Sequence, residues 1–121
     1  MKRLPDSELE IMMILWDLEA PVQRERIEEK LNASHPMALT TLLTLLTRLS
    51  DKGFIEIRKN GRRSEYIPLV NKKDYQKEAS RRFIDQIFGG SIQAFATALN
   101  DNAISREELE ELRRMLESDE L

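Results

Sequence analysis

Cysteine is absent from this chain of 121 residues, and histidine occurs once. The first absence excludes disulfides and thiolate metal sites together. The second leaves no His-based zinc site and no credible Ser/His/Asp triad, because His35 stands alone beside Pro36, in a loop or capping position. Glycine is scarce, at 4 residues, and Gly89-Gly90 is a lone pair rather than a phosphate loop. Long apolar runs are missing, and Met1-Lys2-Arg3 leads straight into an amphipathic segment, so neither a membrane span nor a signal peptide is expected. No catalytic residue, metal site or cofactor is therefore expected, nor any contact with a membrane. Lack of cysteine also fits a cytoplasmic protein.

Charge is plentiful but unevenly placed. The net charge is −3, with 34% charged residues. Residues 1 to 70 hold 11 basic and 11 acidic side chains, while residues 71 to 121 hold 8 and 11. Between residues 48 and 63, Arg48, Lys52, Arg58, Lys59, Arg62 and Arg63 face only Asp51 and Glu56, a local +4. A local surplus of this kind is a phosphate footprint, and the acidity lies in the other half.

That basic cluster overlaps the stretch LTTLLTLLTRLSDKGFIEIRKNGRRSEYIP, residues 39 to 68. At 100° per residue, Leu39, Leu42, Leu45, Leu46 and Leu49 fall on one apolar face of a helix over about 39–52. The opposite face carries Thr40, Thr44, Thr47 and Asp51, flanked by Thr41, Leu43 and Arg48. Threonine is a mediocre helix former, and an idle helix surface is usually filled by Lys, Glu or Gln. Its hydroxyl can meet phosphates or base edges, and its methyl can meet the thymine C5-methyl. Leu43 can do the second job too.

Gly53 fits the left-handed position after a helix. The following FIEIR alternates, and Asn60-Gly61 signals a hairpin over about 55–67. A four-residue turn over 60 to 63 pairs Arg58 with Glu65 and Ile57 with Tyr66, avoiding the like-charge pairs of a turn centred on Asn60-Gly61. It leaves Arg62 and Arg63 at the tip, and Pro68 ends the second strand. Thr40, Thr41, Leu43, Thr44, Thr47, Arg48, Arg58, Lys59, Arg62 and Arg63 form the candidate contact set for duplex DNA.

Upstream, Ser7 with Glu10 reads as a capping box opening a helix whose stripe is Leu9, Met12, Met13 and Trp16, widened by Ile11, Ile14, Leu15 and Leu18. Ala20-Pro21 breaks it. A second helix over roughly 22 to 32 buries Val22, Ile27 and Leu31. Helix, helix, helix, hairpin is the order of a winged helix-turn-helix. The fold class is mainly α with a small β-hairpin: a winged-helix DNA-binding domain over 1–71 and a helical dimerisation region over 72–121.

In the second region Tyr75, Ala79, Phe83 and Ile87 recur at four-residue spacing until Gly89-Gly90. Ile92, Phe95, Ala96 and Leu99 mark a short helix. Ser105 with Glu108 is a further capping box, opening a helix that carries Leu109, Leu112 and Leu116. So few residues bury too little surface to be secure alone. Phe83, Ile87, Phe95, Leu99, Leu109, Leu112 and Leu116 are the candidate homodimer face.

SELEIMMILW, TTLLTLLTRLSDKGFIE, YIPLV, FIDQIFGG and ISREELEELRRML, in this order, resemble the penicillinase-repressor family of BlaI/MecI/CopY type. The T-x-x-T-L-L-x-R-L-x-x-K-G core runs from Thr41 to Gly53. The resemblance implies a dimeric winged-helix repressor on a palindromic double-stranded operator, with an intertwined C-terminal dimer. In the β-lactam branch it also implies a membrane sensor metalloprotease as partner, which triggers cleavage at an Asn-Phe bond. In the copper branch it implies a C-terminal cysteine pair. This chain has no cysteine, carries Thr97-Ala98 where the cleaved bond aligns, and has Thr40 where relatives often carry a basic residue. A winged-helix protein–protein adaptor that does not bind DNA is the rival reading, favoured by the overall negative charge.

Overall fold

The structure is a computed structural model and describes residues 1–118. Its contacts divide the chain into two compact units, Met1–Glu78 and the residues from Ala79 onward.

The first helix, α1, covers Asp6–Asp17. The Ser7/Glu10 spacing predicts a capping box with Ser7 as the N-cap, but the N-cap is Pro5, two residues earlier, with no side-chain cap. Glu10 is engaged elsewhere: its carboxylate lies 2.9 Å from His35 Nδ1. The buried face of α1 is Glu8, Ile11, Met12 and Leu15, a helical i, i+3, i+4, i+7 set. Met13 is not part of it, at 40% exposure, because at 100° per residue it falls on nearly the opposite side of the helix from that set. Trp16 is half-buried and donates its indole N–H to the Val70 carbonyl at 2.9 Å.

After the cis Ala20–Pro21 peptide, Val22–Gln23 form a short strand, β1, and α2 covers Arg24–Ser34. Val22 is buried as its apolar character predicts, yet as a strand residue paired with Tyr66 rather than in the helix. A β-branched residue straight after proline suits extended backbone. Ile27 and Leu31 are the buried residues of α2.

The third helix, α3, covers Leu39–Asp51 and buries Leu42, Leu45, Leu46 and Leu49. Leu39 departs from the predicted apolar face: it is 45% exposed. Helical side chains lean toward the N-terminus, so the first residue of the stripe reaches past the part the core covers. Gly53, at φ +80°, ends the helix. Its N–H bonds the Ser50 carbonyl at 3.0 Å and the Phe54 N–H bonds Leu49 at 2.9 Å, which together make a Schellman motif. Leu49 and Phe54, the residues this motif brings together, are both almost fully buried.

Strands β2 (Ile55–Asn60) and β3 (Arg63–Pro68) pair antiparallel, with β1 on the other side of β3. Arg58 stands opposite Glu65 and Ile57 opposite Tyr66, the predicted register. The turn is shorter than predicted. Pairing continues through Lys59↔Ser64 and Asn60↔Arg63, so only Gly61 and Arg62 turn the chain. Gly61, at φ +65°, supplies the positive φ that a type II′ turn needs at its first central position. Tyr66 is 3% exposed, and burial raises its phenol above the usual tyrosine range.

Helix α4 covers Lys72–Phe88, with the Asn71 side chain accepting from the Lys73 N–H at 2.8 Å. Tyr75 belongs to the first unit. Its ring lies 5.8 Å from those of Trp16 and Phe54, and its hydroxyl accepts from the Leu4 N–H at 3.0 Å.

The second unit contains the rest of α4, α5 (Ile92–Ala98), a π-helical turn (Leu99–Ala103) and α6 (Arg106–Ser118). Gly89 and Gly90, both at positive φ, stop α4 as predicted. The Ser105/Glu108 capping box forms: Ser105 N–H to Glu108 Oε1 is 2.8 Å, and Glu108 N–H to Ser105 Oγ is 3.1 Å. Asn102 adopts φ +73° inside the π-helical turn, a kink that the sequence pattern does not predict.

Candidate nucleic-acid interface

The core of the first unit fixes one face of α3 and leaves the other bare. Thr40, Thr41, Leu43, Thr44, Thr47 and Arg48 are all exposed. Their helical spacing sets them on the side opposite the buried leucines, with Asp51 at the far end. Two hydroxyls are already committed. Thr44 Oγ1 donates to the Thr40 carbonyl and Thr47 Oγ1 to the Leu43 carbonyl, each at 2.9 Å. Such back-bonding leaves the oxygen an acceptor only. Thr40 and Thr41 stand in the first turn, where no helical carbonyl lies four residues back.

The basic residues of α3 and the hairpin fall into two groups. Arg48, Lys59 and Arg62 are exposed and form no ion pair with a described residue. The others are held. Arg58 lies 3.5 Å from Glu56, and Arg63, a strand residue rather than a tip residue, donates to Gln23 Oε1 at 3.0 Å. Lys52 is largely neutralised: its ammonium meets Glu8 Oε1 at 2.5 Å, and the Glu8 side chain is only 3% exposed. The sequence surplus of +4 therefore overstates the charge that a phosphate would meet. Glu8 is the site-supporting residue that periodicity misses, since it occupies an apolar position of α1; its i, i+3, i+7 spacing to Ile11 and Leu15 is the signal that could have found it.

In the second unit the candidate dimer residues are partly bare. Phe83, Ile87 and Leu116 are 49%, 63% and 57% exposed, while Phe95, Leu99, Leu109 and Leu112 are half-buried. Phe83, Phe88 and Phe95 form a ring cluster with centroids 5.5 to 6.1 Å apart. Among the described residues, no group of three or more His, Cys, Asp or Glu could hold a metal ion, and no helix is long and apolar enough to cross a membrane.

The family profile described as penicillinase repressor matches residues 4–118. The chain belongs to that family. It is 29% identical to the penicillinase repressor of Bacillus licheniformis, over 97% of this chain and 94% of the relative. It is also 29% identical to the methicillin resistance regulatory protein MecI of Staphylococcus aureus (strain N315), over 93% and 92%. Two solved structures match the fold. The DNA-binding domain of the repressor BlaI superposes with a TM-score of 0.53 at 29% identity, covering 62% of this chain and 94% of that one. The monomeric form of Bacillus licheniformis BlaI, in complex with the blaP half-operator, gives 0.52 at 28% identity, covering 61% and 89%. The first unit is thus a winged helix of the penicillinase repressor family, with α3 in the recognition-helix position and the β2–β3 hairpin as the wing.

Proposed function

We propose that this protein is a cytoplasmic transcriptional repressor that binds a palindromic operator as a homodimer. One observation carries the reading: a threonine-rich face on α3, uncharged over its first two turns, stands bare beside a basic wing, in a member of a repressor family whose BlaI relative is solved on a half-operator. In such a fold the recognition helix enters the major groove, where threonine can touch base edges, and the wing follows the phosphate backbone. Arg62, at the turn, and Lys59 supply backbone charge; Arg48 extends it along the helix.

The second unit supports the dimer. Among its described residues Ile84 alone is a buried hydrophobic, while Phe83, Ile87, Ile92 and Leu116 are exposed. Burying that surface against a second copy ties two recognition helices to one palindrome. Linking two half-site contacts raises affinity by about 10²–10⁴. Release follows from whatever breaks that pairing, a cut by a sensor metalloprotease included.

The test is a salt titration of binding to random duplex, run beside sedimentation of the full chain. We expect a steep fall of log affinity with log salt, and a dimer at micromolar concentration. An adaptor that leaves DNA alone gives no binding and no slope, and a monomer removes the palindrome from the proposal.

A further inference from the structure

The first two turns of α3, Leu39 to Leu46, contain no charged side chain. Guanine is read in the major groove chiefly by Arg or Lys reaching O6 and N7 together. Nothing in these turns can do that. What they expose instead is apolar and oxygen-bearing: Leu39 at 45%, Leu43 at 37%, and Thr40, Thr41 and Thr44. Thr44, with Thr47 one turn further on, has spent its hydroxyl proton on a carbonyl of its own helix. An oxygen in that state can only accept, and the major-groove groups that donate to it are the exocyclic amines, N6 of adenine and N4 of cytosine.

Resting on the reading of this chain as an operator binder, we propose that Leu39, Leu43 and Thr44 make the recognition helix a reader of thymine methyls and exocyclic amines that has no bidentate partner for the guanine O6/N7 edge. Leu39 and Leu43 lie four residues apart on adjoining turns, so both can lie along one row of methyl groups. Thr44 presents a methyl and an acceptor within one side chain, which suits a thymine next to an amine-bearing base. Selectivity comes from hydrocarbon contact and acceptor placement, and attraction to the backbone comes from the wing.

The experiment uses the full chain. A duplex is selected from a random-core library, and each thymine of the enriched half-site is then replaced in turn by deoxyuridine, which lacks only the C5-methyl. We expect about a fourfold loss of affinity at each methyl that is touched, the cost of one exposed methyl group. In Leu43→Ala the loss at one of those positions disappears. Thr44→Val keeps the methyl and removes the acceptor, so discrimination at an amine-bearing base falls by about three- to tenfold while deoxyuridine sensitivity stays. Thr44→Ser does the reverse. In an Arg48→Ala background that also carries Thr40→Val and Thr41→Val, 7-deazaguanine substitutions throughout the half-site leave affinity unchanged. Deoxyuridine insensitivity at every position, or a 7-deazaguanine loss in that background, overturns the inference while operator binding stands. Failure to retain any duplex, selected or random, at low salt sinks the operator reading and this inference with it.

Discussion

Lys52 closes the recognition helix by placing its ammonium 2.5 Å from a Glu8 carboxylate that is almost shut off from solvent. The pair links the start of α1 to the end of α3, 44 residues apart in the chain. It spends a lysine of the basic stretch on holding the helix rather than on attracting phosphate.

Lys52→Ala leaves that carboxylate without its cation. Breaking a buried ion pair costs about 3–5 kcal/mol. Because Lys52 keeps some exposure, we expect the lower end, about 3 kcal/mol, seen as a reduced urea midpoint. Replacing both residues with apolar ones of similar size should restore most of the loss. A midpoint unchanged in Lys52→Ala would show the pair to be idle.

Gly53→Ala tests the Schellman cap. A Cβ at this position meets no atom within 4 Å, so the cost is that of left-handed backbone alone. That is about 1–2 kcal/mol for an L-residue. Thermal or urea melts of the variant report it directly, and a neutral substitution would remove the strain argument.

The two arginines of the wing should behave differently. Arg62→Ala weakens operator and random duplex alike and flattens the salt slope by about one unit, as losing one phosphate contact does. Arg63 is partly occupied by Gln23, so Arg63→Ala changes the slope less. Equal slopes for the two variants would contradict the geometry.

Glu108 offers a pH test. Hydrogen bonds from the Ser105 backbone N–H and hydroxyl hold its carboxyl below the ordinary glutamate range, with slight desolvation opposing them. A folded value below the unfolded one means the cap stabilises α6 above the unfolded value of about 4.3 and fades as pH falls through the lowered folded value. A carboxyl NMR titration should find Glu108 below the ordinary glutamate range, and Ser105→Ala should move it upward.

Fragment boundaries matter for the first unit. A chain ending at Glu78 keeps Tyr75 against Trp16, Phe54 and the Leu4 amide. A chain ending at Asn71 loses that ring, a large-to-nothing change that typically costs about 3–5 kcal/mol. The shorter fragment should therefore melt well below the longer one. Comparable melting of the two would place Tyr75 outside the essential core.

Most of the fold was legible because period and punctuation agreed. Leu42, Leu45, Leu46 and Leu49 repeat at helical spacing, Gly53 and Gly89-Gly90 stop helices, and the charge pattern of Arg58 and Glu65 set the hairpin register. Three features were hidden for physical reasons. Val22-Gln23 pairs as a strand only because β3 lies beside it, a long-range contact with no local signature. Tyr75 shares its spacing with Phe83 and Ile87 but packs with α1 and β2 neighbours, since one helix serves both units. The threonine face of α3 was visible in sequence, whereas the donation of Thr44 and Thr47 protons to backbone carbonyls needed coordinates.

Strand β3 is paired on both sides, with Tyr66 opposite Val22 on one and Ile57 on the other. A single inserted or deleted residue inside it would throw Tyr66 to the opposite face and break two ladders at once. The Gly61-Arg62 turn has no such constraint, as it pairs with nothing. Length variation in this wing is thus confined to its outermost loop. Drift or design can lengthen the reach toward a nucleic-acid backbone there, one residue at a time, while the stem beneath tolerates no change of parity.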